Sequence, residues 1–132
     1  MVAAVNNNNH LAAPQEQALL ARGEELFIAG NYNAAWVSFN ELIKINPNEY
    51  YYYYMRAACS GNQGLYQASL ADLNKALSLA KTNEAKGFCH YDMAIIYVNM
   101  GDVNTAESHL ITAAKLGNGL AQNICNEYGI PY

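Results

Sequence analysis

A spacing recurs along this chain with a period of 34 residues. Gly30, Tyr32, Ala35, Phe39 and Leu42 return 34 residues later as Gly64, Tyr66, Ser69, Leu73 and Ala76. A third copy, Gly101, Val103, Ala106, Leu110 and Ala113, comes after a step of 37 residues, so three extra residues fall between Leu79 and Phe88, with 82–86 the natural place. A period of this length means that each copy is one small supersecondary unit unable to bury its apolar face alone, and that neighbouring copies cover one another.

Each copy reads as a helix, a tight turn and a second helix. A glycine just past the last periodic residue takes the positive φ that ends a helix, so Gly30, Gly64 and Gly101 mark the ends of first helices. Asn31 and Asp102 come next, as caps of the second helices. Small residues at Ala35, Ser69 and Ala106 allow paired helices to approach closely, and Phe39, Leu73 and Leu110 one turn later fill the seam. Pro47 stops the second helix of the first copy, because the residue before proline disfavours the helical region, and Asn48 is the expected cap of the helix that opens the second copy.

Composition removes several function classes. With 52% apolar residues in 132, the chain has material for a continuous core. Its net charge of −4 rests on only 14% charged residues, with no Lys/Arg cluster to neutralise a row of phosphates, so nucleic acid is excluded as a partner. No run approaches the ~20 apolar residues of a membrane span, and residues 1–13 lack the pattern of a secretory signal. A soluble, cytoplasmic chain is the expectation. Cys59, Cys89 and Cys125 are odd in number and lack ligand spacing, which predicts small buried apolar groups and neither a disulfide framework nor a metal site. No cofactor motif is present.

The stretches 34–47 (AAWVSFNELIKINP) and 66–77 (YQASLADLNKAL) resemble the tetratricopeptide repeat, with Gly and an aromatic at the turn, then Ala, an aromatic, Ala and a closing Pro. The chain departs from that pattern at Ser69, at Val103 where an aromatic is usual, and in lacking a proline after copies two and three. The resemblance implies an all-α fold, a right-handed superhelical stack of helix-turn-helix repeats at 16–49, 50–83 and 87–120 within a domain spanning 14–128. A seventh helix near 119–128 covers the last apolar edge, and its junction with residues 113–118 also resembles Sel1-like repeats. Residues 1–13, with Asn6 to Asn9 in a row, read as a flexible arm before Pro14 opens the first helix.

In the tetratricopeptide fold the first helices line a concave face, which implies where a partner would sit. The expected groove residues are Gln17, Leu20, Glu24, Phe27 and Ile28, then Tyr51, Tyr54, Met55, Ala58 and Asn62, then Phe88, Tyr91, Asp92, Ile95 and Asn99. Of these Leu20, Glu24, Phe27, Tyr51, Tyr54, Met55, Phe88, Tyr91, Asp92 and Ile95 are the candidate partner-binding set. Five successive tyrosines at 50–54 cannot all face a core at 100° per residue. The register sends Tyr53 into its own repeat and Tyr52 toward the previous one, leaving Tyr51 and Tyr54 outward, with Phe88 and Tyr91 as their counterparts. The carboxylate clamp of some tetratricopeptide co-chaperones needs Lys, Asn and Arg in the groove; Leu20, Glu24, Met55, Phe88 and Asp92 stand there instead, so that function is rejected. Arg22 and Arg56 lie at positions usually apolar, where an ion pair with a nearby Glu is the expectation.

Catalysis has little footing. Only Cys89 beside His90 suggests a nucleophile and base, and adjacent helical residues point about 100° apart, so His90 is expected to pack in place of a core aromatic. The chain therefore reads as a non-enzymatic adaptor that binds a protein or peptide in an aromatic groove. The alternatives are a dedicated chaperone of one apolar client segment, in the manner of type III secretion chaperones, and a homo-oligomerising structural module, a homodimer being the simplest case.

Overall fold

Helix ends, more than helix interiors, set the architecture. The computed structural model describes residues 13–132, and the arm expected over residues 1–13 lies outside them except for Ala13. Among the described residues all regular structure is helical, and the chain divides into two compact units, one ending at Leu79 and the other covering Ala80–Tyr132.

The first unit contains α1 (Pro14–Ile28), α2 (Tyr32–Ile45), α3 (Tyr50–Asn62) and α4 (Tyr66–Leu79), each packed on the next in sequence. Proline at the first position of α1 loses nothing, because that N–H has no intrahelical partner in any case. After α1 the chain closes with a Schellman turn: Gly30 N–H donates to the Phe27 carbonyl and Asn31 N–H to that of Leu26, at φ +79° for Gly30. Gly64 repeats the turn after α3, with Leu65 N–H donating to the Ser60 carbonyl. The cap of α3 is Glu49, whose carboxylate accepts from Tyr51 N–H, and not the expected Asn48; the chain enters the helix one residue later than the proline signal implies.

The core of this unit gathers Ala35, Phe39, Leu42, Tyr52, Met55 and Cys59. Gly23 of α1 allows the closest approach: a Cβ there would stand 3.0 Å from the Phe39 ring. Ser69 occupies the small position of α4 without penalty, because its hydroxyl, buried, donates to the Ala57 carbonyl at 2.8 Å. Polar groups are closed off in the same way around Glu16, which accepts from the Tyr52 hydroxyl at 2.7 Å and from Asn46 Nδ2 at 3.4 Å. Burial, then the Glu16 contact, pushes the Tyr52 hydroxyl well above its ordinary range, so it stays protonated and keeps donating. The partner of Arg56 is Asp72 rather than a Glu: both carboxylate oxygens are engaged, at 2.8 and 2.7 Å, while Nη1 donates to Asn40 and the guanidinium lies over Trp36 and Tyr53. One side chain thus ties α2, α3 and α4 together.

The second unit contains α5 (Asn83–Asn99), α6 (Val103–Lys115) and α7 (Gly119–Tyr128). The extra residues near 82–86 do not form a loop. Thr82 caps α5 by accepting from Ala85 N–H at 3.1 Å, and the insertion becomes the helix's first turn, making α5 17 residues long. Asp102 caps α6 and Asn118 caps α7, and the Schellman turn recurs at Gly101, Gly117 and Gly129. Ala94, Leu110, Ala113, Ala114, Ala121 and Cys125 form the core, with Tyr91, Ile124 and Ile130 packed against it.

His90 of α5 is half-buried and pairs with His109 of α6, their Nδ1 atoms 3.0 Å apart, and Tyr97 stacks on His109 at 5.4 Å. A contact between two ring nitrogens requires one donor and one acceptor, so the pair cannot carry both extra protons and keep it. Burial lowers both imidazoles below 6.5, and for His90 the charge of His109 adds to the effect.

Backbone conformation makes two of the glycines respond oppositely to the same substitution. Gly64→Ala forces an L side chain into the left-handed region although open space surrounds it, a loss of about 1–2 kcal/mol, or roughly 4–7 °C in thermal midpoint. Gly119→Ala, in helical backbone with equally open surroundings, leaves the midpoint unchanged or raises it. The histidine pair adds a pH dependence. Because the folded histidines bind protons more weakly than unfolded ones, stability is fully present above pH 6.5 and declines as pH falls below it. Denaturant midpoints between pH 8 and 5 read this directly, and His109→Phe, which keeps a ring on Tyr97, flattens the decline.

Candidate functional site

The residues expected along the groove divide into three groups once the helices are in place. In the first unit Leu20, Glu24 and Phe27 of α1 and Tyr51 and Tyr54 of α3 are half-buried. The Tyr51 hydroxyl donates to Glu24 Oε2 at 2.8 Å, joining the two first helices, and the rings of Tyr51 and Tyr54 lie 21° from parallel with centroids 6.5 Å apart. Burial and the neighbouring Glu24 carboxylate push the Tyr51 hydroxyl well above its ordinary range. Leu20 rests on the core, and Phe27 meets Tyr32 edge-on at 5.3 Å, filling the corner between α1 and α2.

Met55 is a correction. It is 8% exposed and belongs to the core with Phe39 and Leu42. Once Tyr52 turns inward to reach Glu16, the residues three and seven positions on, Met55 and Cys59, fall on the same stripe and are carried inside. Tyr52 and Tyr53 are buried as the register requires, the Tyr53 hydroxyl donating to the Pro47 carbonyl at 2.9 Å.

In the second unit Tyr91 and Ile95, four residues apart on α5, line an apolar groove of about 560 Å³. Val98 on α5, Val103 and Leu110 on α6, and Ile124 and Tyr128 on α7 complete its walls, with Asn99 and Glu107 as its polar groups. The matching positions explain why a groove exists here. Phe27 and Tyr32 of the first copy are replaced in the third by Val98 and Val103, so the volume of two rings is missing from this corner. Phe88, 39% exposed, lines a separate recess of about 630 Å³ with Glu84, Leu116, Asn118, Leu120 and Asn123. Asp92 is half-buried and lines neither.

Sequence reasoning noted Val103 as a departure from the repeat pattern and α7 as a cover, but missed that Val98, Val103 and α7 wall a groove. The signal is present in Ile124 and Tyr128, spaced by four on a short helix, and in Val103 standing where Tyr32 and Tyr66 stand in the other copies.

Cys89 and Cys59 are wholly buried, and burial raises their thiols to about 12 and about 11, far from the thiolate that a nucleophile or metal ligand needs. His90 points to His109, not to a thiol. Among the described residues no group of three His, Cys, Asp or Glu side chains is placed to hold a metal, and no helix is long and apolar enough to cross a membrane.

Residues 50–83 match the sequence model of the tetratricopeptide repeat family. Over 97 residues, 74% of this chain, the sequence is 29% identical to a tetratricopeptide repeat and J domain-containing co-chaperone, DNJ1, of Cryptococcus neoformans, 18% of whose length is covered. It is 32% identical over 79 residues, 60% of this chain, to the TPR repeat-containing thioredoxin TTL4 of Arabidopsis thaliana, of which 11% is covered. The chain thus spans less than a fifth of the length of these relatives. Its fold resembles that of the Yersinia enterocolitica type III secretion chaperone SycD, solved in complex with a peptide of the translocator YopD. The TM-score is 0.76 at 16% identity, and 88% of each chain is covered.

Proposed function

We propose that this chain, a member of the tetratricopeptide-repeat proteins, is a protein-interaction adaptor that holds a peptide or an apolar segment of a partner on the faces of its first helices. The observation that carries the reading is the groove beside Tyr91 and Ile95 in the second unit: large apolar side chains left around open space, where a core would have closed on itself. Support comes from SycD, which has this fold and was solved with a translocator peptide bound.

The magnitudes suit a modest binder. Burying one Leu, Ile or Phe side chain stabilises a complex by roughly 1.5–3 kcal/mol, and a micromolar complex needs about 8 kcal/mol, so two or three anchors plus backbone hydrogen bonds are required. Tyr51 and Tyr54 supply rigid ring surface in the first unit at small entropic cost.

The test uses the chain as bait in its native host, followed by titration with synthetic peptides that tile whatever is captured. Tyr54→Ala combined with Tyr91→Ala is expected to weaken the capturing peptide at least ten-fold with helicity by circular dichroism retained. Undiminished affinity in that double variant contradicts the reading. Self-association that competes with the peptide would move the assignment to a homo-oligomeric module.

A further inference from the structure

The third copy of the repeat lacks rings that the first copy has, and the first copy shows what fills the place. With the turn glycines Gly30 and Gly101 aligned, Phe27, Tyr32 and Trp36 of the first copy correspond to Val98, Val103 and Glu107 of the third. In the first unit all three rings are half-buried against the core of Ala35, Phe39 and Leu42, and Phe27 meets Tyr32 edge-on. In the second unit the three replacements line the groove of about 560 Å³, where Val98 and Val103 are left 56% and 64% exposed. The backbone turn between the paired helices is the same in both, with Schellman hydrogen bonds at Gly30 and at Gly101. The two corners therefore differ in side-chain volume: three rings in one, two isopropyl groups and a carboxylate in the other.

A recess shaped by the removal of rings is complementary to a ring. Its walls already carry two aromatics, Tyr91 on α5 and the exposed Tyr128 on α7, against which an inserted ring packs offset or edge-on. A leucine-sized group meets the same walls with less contact area. Charge narrows the choice further. Glu107 is the one charged side chain lining the groove and is exposed; among the described residues the ion pairs are Lys44–Glu41 and Arg56–Asp72, neither of which involves it. A basic group beside the entering ring is attracted by that carboxylate, and an acidic one is repelled.

Resting on the peptide-binding reading above, we infer that this groove takes an aromatic side chain of the bound segment, seated as Phe27 and Tyr32 are in the first copy, with a neighbouring Lys or Arg of the partner facing Glu107. Val98 and Val103 are the specificity-determining residues, because they keep the place of the rings open. Glu107 adds charge selection of the modest size expected for a solvent-exposed pair.

The experiment titrates the full chain, isotope-labelled, with three capped dipeptides at low ionic strength: N-acetyl-Phe-Lys-amide, N-acetyl-Leu-Lys-amide and N-acetyl-Phe-Glu-amide. Saturating amide shifts confined to the groove segments 91–110 and 124–130 are expected with the first. It is expected to bind about three- to ten-fold more tightly than the leucine probe. Its advantage over the glutamate probe is expected to be about two- to five-fold, fading as salt is added. Val98→Phe combined with Val103→Tyr, which restores the rings of the first copy, is expected to weaken the first probe about ten-fold or more with helicity retained. Val103→Tyr alone, the residue found at this place in the other two copies, is expected to act in the same direction and serves where the double variant loses helicity. Equal or tighter binding of the leucine probe, equal binding of the glutamate probe, or undiminished binding in the filled variants would each overturn the inference. Equal binding of the leucine and phenylalanine probes would leave apolar capture at this groove standing, whereas no binding of either would remove the groove from the proposed function as well.

Discussion

Close approach between paired helices is the constraint on which the other features rest. At Gly23 the backbone of α1 comes so near the Phe39 ring that a methyl group would have to displace it, and Ala35, Ala57, Ser69, Ala94 and Ala106 keep the equivalent seams narrow, all of them buried. Narrow seams admit few large side chains, Phe39 against Gly23 among them, and the large residues elsewhere divide between the core, as Leu73 does, and the outer faces. Tyr51 and Tyr54 are half-buried, resting on the core with their rings stacked on each other.

The tyrosine run shows how this division works at single-residue resolution. Tyr52 and Tyr53 are taken inward, each with its hydroxyl satisfied, one by Glu16 and one by the Pro47 carbonyl. Tyr51 and Tyr54 turn about 100° away and meet Glu24 and each other. Buried hydroxyls without partners would each destabilise the fold by about 1–3 kcal/mol, so the hydrogen-bond acceptors at Glu16 and Pro47 are what allow tyrosine to serve as core here. In the second unit the same economy of shape works by omission: valines in place of an aromatic pair leave the groove beside Tyr91 open.

The elements that share the 34-residue spacing were legible in the sequence, because each depends on local chemistry that a reader can see: the positive-φ glycine, the small seam residue, the aromatic one turn on. What was not legible depends on contacts between elements. The outward register of Met55 fails because Tyr52 is committed inward by Glu16, a residue 36 positions away. The insertion at 82–86 is visible as extra length, but its becoming helix depends on Thr82 capping it. The pairing of His90 with His109 joins residues in two helices with no shared motif. The groove itself was hidden because it is made by what Val98 and Val103 lack, and absence of volume shows only when the equivalent corner is filled elsewhere.

The proposed binding faces require the tyrosine run of the first unit to be split between interior and surface, and Tyr91 of the second unit to stand on the open side of its groove. Attenuation of ring-carbon-labelled tyrosine signals by a soluble gadolinium chelate measures this split directly. Strong attenuation is predicted for Tyr51, Tyr54 and Tyr91, and protection for Tyr52 and Tyr53, which are 2% and 8% exposed. Protection of Tyr51 and Tyr91 to the same degree as Tyr52 would contradict it.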